Sequence, residues 1–192
     1  MKGIAFLITL KLVVYVPLAK NVQGYVITNS NDTIKVTMKI ASGAFSNDEP
    51  LKTDQRVKSV DSVGDIITTY DSSSIKEYGY TNHNEETKYR LKPIQDGGRY
   101  FLHVVVDGPK AALYSYVHFY GTASQGIEYF TFEKNDTAYL FLKSFDKLET
   151  LKKKIADFYS EFPAAQELAM KKFQNRWQIQ KDVAAVVNSV NK

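Results

Sequence analysis

The sequence predicts an α+β protein: an antiparallel, β-rich rolled sheet or barrel-like body with two or three C-terminal helices packed on it. Three observations carry that prediction. From Val22 to Lys143 apolar residues recur at every second position in short runs, the period of a half-buried strand. Gly, Asn, Asp and Pro clusters separate those runs. After Lys143 the apolar spacing lengthens to three and four, which is the period of a helix. Strands first and helices last place the helices on the sheet rather than between its strands, and ten short strands favour a curled sheet over a flat one.

The first twenty residues, MKGIAFLITLKLVVYVPLAK, combine a basic start, an apolar stretch and a small residue, Ala19, near their end. That is the layout of a secretory signal peptide. Lys11 divides the apolar run into Ile4 to Leu10 and Leu12 to Val16, each far shorter than the ~18 apolar residues of a membrane span. The alternative is a buried first strand of a cytoplasmic protein; export is the favoured reading. The expected organisation is therefore a leader over 1–20 and one domain over 21–192, with a β-rich body to residue 143 and a helical tail from residue 144.

The strands are justified in order. Tyr25 to Thr28 and Ile34 to Ile40 flank Asn31-Asp32-Thr33, and the second alternates cleanly, with Ile34, Val36, Met38 and Ile40 on one face. SGAFSNDEP, residues 42–50, is a loop. Arg56 to Val60, Ile66 to Tyr70, Ile75 to Tyr80 and Thr87 to Ile94 follow, the last two around the polar tip TNHNEE. RYFLHVVVDGPKAALYSYVHFYG reads as a hairpin with a tight turn at Asp107-Gly108 or Gly108-Pro109, because glycine accepts the positive φ of such turns. Ile127 to Phe132 and Ala138 to Leu142 flank Asn135-Asp136-Thr137. The repeated Asn-Asp-Thr is thus two hairpin turns: Asn and Asp tolerate turn dihedrals, and the β-branched Thr restarts the strand.

In the tail, Phe145, Leu148, Leu151, Ile155 and Phe158 form one apolar stripe, with Ser144 placed to cap the helix and Asp146 suited to its positive end. Pro163 fits the first turn of a second helix carrying Leu168, Ala169, Phe173 and Trp177. Ile179, Val183, Val186 and Val190 continue the stripe, in the same helix or a third.

Composition narrows the chemistry. The 192 residues contain no cysteine, which excludes disulfides, thiolate metal sites and a cysteine nucleophile. The net charge of +4 is unevenly spread: residues 21–142 hold 12 basic and 15 acidic residues, residues 143–192 hold 10 and 6. Lys152-Lys153-Lys154 reads as a solvated helix face, with no nucleic-acid motif beside it. No GxSxG elbow, phosphate-binding glycine loop or HExxH is present.

GYVITNSNDTIK, IITTYDSSSIKEYGY, FLHVVVDGPKAALYSY and YFTFEKNDTAYLFL, followed by SFDKLETLKKKI and VVNSVNK, form a series. It resembles an uncharacterised family of exported β-rich proteins with a C-terminal helical tail, common in Bacteroidota. The resemblance implies an envelope location, in the periplasm or on the outer cell surface, and supplies no catalytic residue. It also gives weight to a second pattern, Asp then Ser or Thr then an apolar residue, which resembles the O-glycosylation signal of exported proteins in that phylum. Thr33, Ser62 and Thr137 fit it.

The hairpin supplies the remaining candidates. If Leu102, Val104 and Val106 share a core face with Leu113, Val117 and Phe119, the other face carries His103 with Tyr114, Tyr116, His118 and Tyr120. Tyrosine rows stack sugars or line a pocket; they equally suit a packed layer beneath a helix. His103 and His118 would lie more than ~13 Å apart, too far to share a metal ion. The expectation is an exported, non-enzymatic binding or structural component of the envelope, without cofactor, whose partner is an envelope protein or a glycan. The alternative is a carrier of a small apolar or sugar ligand, and a third, a carboxylate hydrolase.

Overall fold

The computed structural model describes residues 18–42, 55–82, 84–119 and 126–192. Its strands are β1 (Leu18–Thr28), β2 (Thr33–Ser42), β3 (Arg56–Val60), β4 (Ile66–Asp71), β5 (Ile75–Asn82), β6 (Glu85–Pro93), β7 (Arg99–Val106), β8 (Ala111–Phe119), β9 (Gly126–Lys134) and β10 (Ala138–Lys143). The helices are α1 (Leu148–Phe158), α2 (Pro163–Lys171) and α3 (Ile179–Val190), with a 3-10 turn over Arg176–Gln178. All ten strands join one antiparallel sheet in the order β10-β9-β8-β7-β6-β5-β1-β2-β3-β4. The expected α+β architecture holds, with three helices and a sheet that is rolled but not closed into a barrel.

Chain connectivity explains the roll. β5 pairs with β1 rather than with β4. Only residues 72–74 join β4 to β5, a link reaching at most about 14 Å. In a flat sheet four strand spacings, about 19 Å, would have to be bridged. The sheet therefore curls, which brings Asn29 to Ser74 (N–H to carbonyl, 3.1 Å) and lets Phe101 N–H on β7 donate to Gln55 Oε1 beside β3 at 3.2 Å. The enclosed face holds Val26, Met38, Val57, Tyr78, Tyr89 and Phe101, all buried. Tyr78 stacks on Tyr89 at 4.8 Å and meets Phe101 edge-on at 5.2 Å, geometries that the ring quadrupole favours.

The same sheet face, continued onto β8, β9 and β10, is covered by the helices. Leu113, Phe130, Phe132 and Leu142 pack against Leu151 and Ile155 of α1 and Val183, Val186 and Val187 of α3. A helix this rich in valine has poor intrinsic propensity, so tertiary burial holds it.

Both Asn-Asp-Thr segments are hairpin turns, and Asn31, Asn135 and Asp136 take positive φ values of 73°, 52° and 60°. Other expectations need correction. Ser144 does not cap α1: the helix starts at Leu148 and its N-cap, Lys147, makes no side-chain cap bond. Phe145 leaves the apolar stripe and is 65% exposed. The second and third helical segments are separate. Phe173 sits at φ 62° after α2, and its N–H donates to the buried Asp182 of α3 at 2.9 Å. Asn175 Oδ1 then accepts Trp177 N–H. That break sends the Phe173 ring into the core and leaves Trp177 95% exposed.

The hairpin of β7 and β8 also departs from expectation. It turns through residues 107–110, and a bulge lies between Val104 and Val106, so that His103 pairs with Ser115 and Val104 with Tyr114. The bulge adds one residue to one strand and inverts its remaining alternation. Val117, expected in the core, is 36% exposed. β1 takes in Leu18 and Ala19, paired with Ser42 and Ala41, so the expected leader boundary falls in its first residues. Of the predicted loop over 42–50, Ser42 ends β2 and residues 43–50 lie outside the described residues, as do His83 of the polar tip and Tyr120.

Candidate functional site

The sheet's other face carries charge where a solvent-facing surface would ordinarily carry only scattered polar groups. Register sets it up. Glu77 on β5 stands opposite Arg90 on β6, Val104 opposite Tyr114, and Glu133 on β9 opposite both Ala112 and Tyr139. Alternation then puts Arg90, Lys92, Tyr114, Glu133 and Tyr139 on one side of the sheet.

Arg90 is the hub. Its Nε donates to Glu77 Oε2 at 2.7 Å, and its two terminal nitrogens form a fork on Asp107 at 2.9 and 3.0 Å. A planar guanidinium matches that bidentate geometry and a lysine does not. Burial alone would lower the Arg90 pKa, but the bonds to Asp107 and Glu77 hold it above its ordinary value. The hydrogen bonds from Arg90 hold the Asp107 carboxyl below the usual range.

Glu133, 2% exposed, is the second centre. Its Oε1 accepts from Lys92 at 2.7 Å and from the Tyr139 hydroxyl at 3.1 Å, while its Oε2 accepts from the Tyr114 hydroxyl at 2.7 Å. Burial, then hydrogen bonding to Glu133, pushes the Tyr114 phenol well up. Burial and the charge of Glu133 raise Tyr139 to about 12. On the far flank the Tyr25 ring lies over Gly79, where an added Cβ would meet it at 2.7 Å, and its hydroxyl donates to Glu77 at 3.2 Å. Gly79 is thus the position that lets the phenol reach the carboxylate.

Beside this network, where the β1–β2, β4–β5 and β6–β7 turns gather, a cleft of about 510 Å³ opens. Its wall includes Lys76, Arg90, Lys92 and Arg99, against one carboxylate, Glu77. Arg90 and Lys92 are fixed by the bonds described above. Lys76 bonds to Asn31 Oδ1, and Arg99 donates to the Leu91 carbonyl at 3.3 Å. Both acceptors are neutral, so they orient these cations without cancelling their charge. Ile27 adds apolar floor; Asn31 and Thr33 add hydrogen-bonding rim. A small anion with an apolar or hydroxylated body suits such a wall.

The expected tyrosine row is only partly assembled. Tyr114, Tyr116 and His118 share this outer face, where Tyr116 stacks on Tyr129 at 4.9 Å and His118 meets Tyr129 edge-on at 6.5 Å. His103 belongs to the opposite face, where it packs near Tyr89 at 5.5 Å. The helices do not cover Tyr114 or Tyr116, and Tyr114 borders a space of about 70 Å³. Thr33, Ser62 and Thr137 are exposed in turns or at their edges. Sequence reasoning missed the Arg90–Glu77–Asp107 cluster and Glu133, because their partners lie 6 to 41 positions away on other strands and turns. The signal was present as Arg90 and Lys92 at spacing two on a strand otherwise read for its apolar residues.

Among the described residues no group of three or more His, Asp or Glu is placed to hold one metal ion, and no helix is long and apolar enough to cross a membrane. Compared with known proteins, the chain matches no protein family, no curated protein and no solved structure.

Proposed function

We propose that this chain is a non-enzymatic binding component of the cell envelope, and that the cleft beside Arg90 receives a small anionic ligand, an acidic sugar being the class that fits best. The observation that carries the reading is the convergence of Lys76, Arg90, Lys92 and Arg99 on one cleft whose inner two cations are anchored and whose outer two keep their charge. Anchored cations present their donors without losing side-chain freedom on binding. The amide of Asn31 and the hydroxyl of Thr33 suit sugar hydroxyls. A binding role is favoured over acid–base chemistry because Glu77 and Glu133 are already engaged by Arg90, Lys92 and phenol donors. The exported placement rests on the leader-like first twenty residues and on the family resemblance.

Calorimetric titration with glucuronate, an oligogalacturonate and neutral glucose tests this. Binding of the acidic sugars alone is expected, weakened roughly tenfold or more by Arg99→Ala through loss of one charge-assisted hydrogen bond. Equal affinity for glucose, or acidic sugars that bind Arg99→Ala unchanged, would exclude the cleft.

The exposed turns also support O-glycosylation at Thr33, Ser62 or Thr137. Thr33 borders the cleft, so a glycan there and a free ligand compete for one space. Ser62 and Thr137 are the compatible acceptors. Intact mass of protein from its native host should exceed that of the polypeptide; a bare mass rejects the modification.

A further inference from the structure

Three of the large apolar side chains that the fold leaves outside its core are carried by segments that meet at one end of the helical layer. α1 and α2 are joined by a short link and run back on each other, and α3 returns beside α2, so the start of α1, the end of α2 and the start of α3 share that end. Arg176 donates to the carbonyls of Ser144 at 2.6 Å and Asp146 at 3.2 Å, and Lys172 lies 3.7 Å from Asp182. Phe145 (65% exposed), Met170 (53%) and Trp177 (95%) protrude there, and the Arg176 guanidinium lies 6.0 Å from the centre of the Phe145 ring.

The net charge around these side chains is positive. Lys171 is neutralised by Glu167, Lys172 by Asp182, and Glu149 by Lys152. Among the described residues Lys147, Arg176 and Lys181 then stand against Asp146 alone. Arg176 spends its donors on neutral carbonyls, so its charge is uncompensated. Three protruding side chains expose a few hundred Å² at most, below the ~800 Å² per partner of a specific protein interface. They form tips rather than a groove. Aromatic tips within a basic collar match the interface of an anionic bilayer, where indole rings settle at headgroup depth and lysines meet lipid phosphates.

We propose that this end of the helical layer docks peripherally on an anionic lipid surface, with Trp177 and Phe145 entering the headgroup region and Lys147, Arg176 and Lys181 meeting the phosphates. The inference is independent of the cleft.

Trp177 is the chain's single tryptophan, so its fluorescence reports on this site alone. The full chain is titrated with vesicles of equal parts phosphatidylcholine and phosphatidylglycerol, and with phosphatidylcholine vesicles, while co-sedimentation is followed in parallel. Docking predicts a shift of emission to shorter wavelength and pelleting with the anionic vesicles only, both weakened by salt. Lys147→Ala/Lys181→Ala should bind roughly tenfold or more weakly, and Trp177→Ala, at a position this exposed, should fold normally and pellet less. Three results would overturn the proposal: unshifted emission with anionic vesicles, pelleting that the lysine variant leaves unchanged, or a concentration-dependent shift without lipid, which assigns the patch to self-association.

Discussion

Tyr159 lies at the centre of the helix–sheet core with no exposure, its ring edge-on to Phe132, Phe158 and Phe162 at 6.4, 4.9 and 6.3 Å. Among the described residues its hydroxyl has no hydrogen-bond partner. A buried donor left unpaired costs about 1–3 kcal/mol, whereas the ring contacts survive loss of one oxygen. Tyr159→Phe is therefore expected to stabilise the fold by about 1 kcal/mol, or roughly 2–4 °C in melting temperature for a domain of this size. Tyr114→Phe is the internal control. Its hydroxyl donates to buried Glu133 at 2.7 Å, and its loss should destabilise by about 1–3 kcal/mol. Urea unfolding followed by far-UV circular dichroism separates the two. Alkali gives a second readout. Burial pushes the Tyr159 phenol up, so its contribution to stability is complete below the unfolded value near 10 and fades as pH rises beyond it. Tyr159→Phe should lose less stability above that pH than the parent. A Tyr159→Phe protein weakened by a kilocalorie or more would show that the hydroxyl has a partner and would refute the reasoning.

Two further outcomes are expected. Gly108→Ala places a Cβ 2.2 Å from Asn191 Nδ2 and should destabilise by about 1–3 kcal/mol; because Asn191 is the displaced group, combining it with Asn191→Ala should add little in denaturant titration. The Asp107 carboxyl is held low by Arg90, so its stabilisation is present above the unfolded value near 4 and disappears as pH falls through the folded one; Asp107→Asn should flatten the acid limb of the unfolding midpoint below about pH 4.

The strands were legible because local chemistry defines them: positive-φ Asn and Asp residues mark turns, and alternation marks faces. The roll was legible only as a consequence of strand number. The detail behind it, β5 returning to β1, is a non-local pairing for which Ile75 to Tyr80 carries no mark. The bulge at Val105 was invisible for a related reason. An inserted residue changes which side chains share a face without changing composition, and it separated His103 from Tyr114. In the tail, periodicity carried Phe145 and Trp177 into a stripe that the structure denies them. The competing signals, Asn175 as a cap and Asp182 as an acceptor for Phe173, act through hydrogen bonds that apolar spacing does not register. The cleft was least legible. Lys76, Arg90 and Arg99 read as ordinary surface cations until three turns bring them together.

Asn191 has a consequence for how the molecule is made. Its Oδ1 accepts the N–H groups of Lys110 and Ala111 at 3.1 and 3.0 Å, and its Nδ2 donates to the Ala111 carbonyl at 2.9 Å, spanning 80 positions of sequence. One amide thereby imitates the edge of a neighbouring strand and buckles the central hairpin to the final turn of α3. A ribosome that has released every strand still holds that buckle undone, and the hairpin is fastened only after the last helix has emerged.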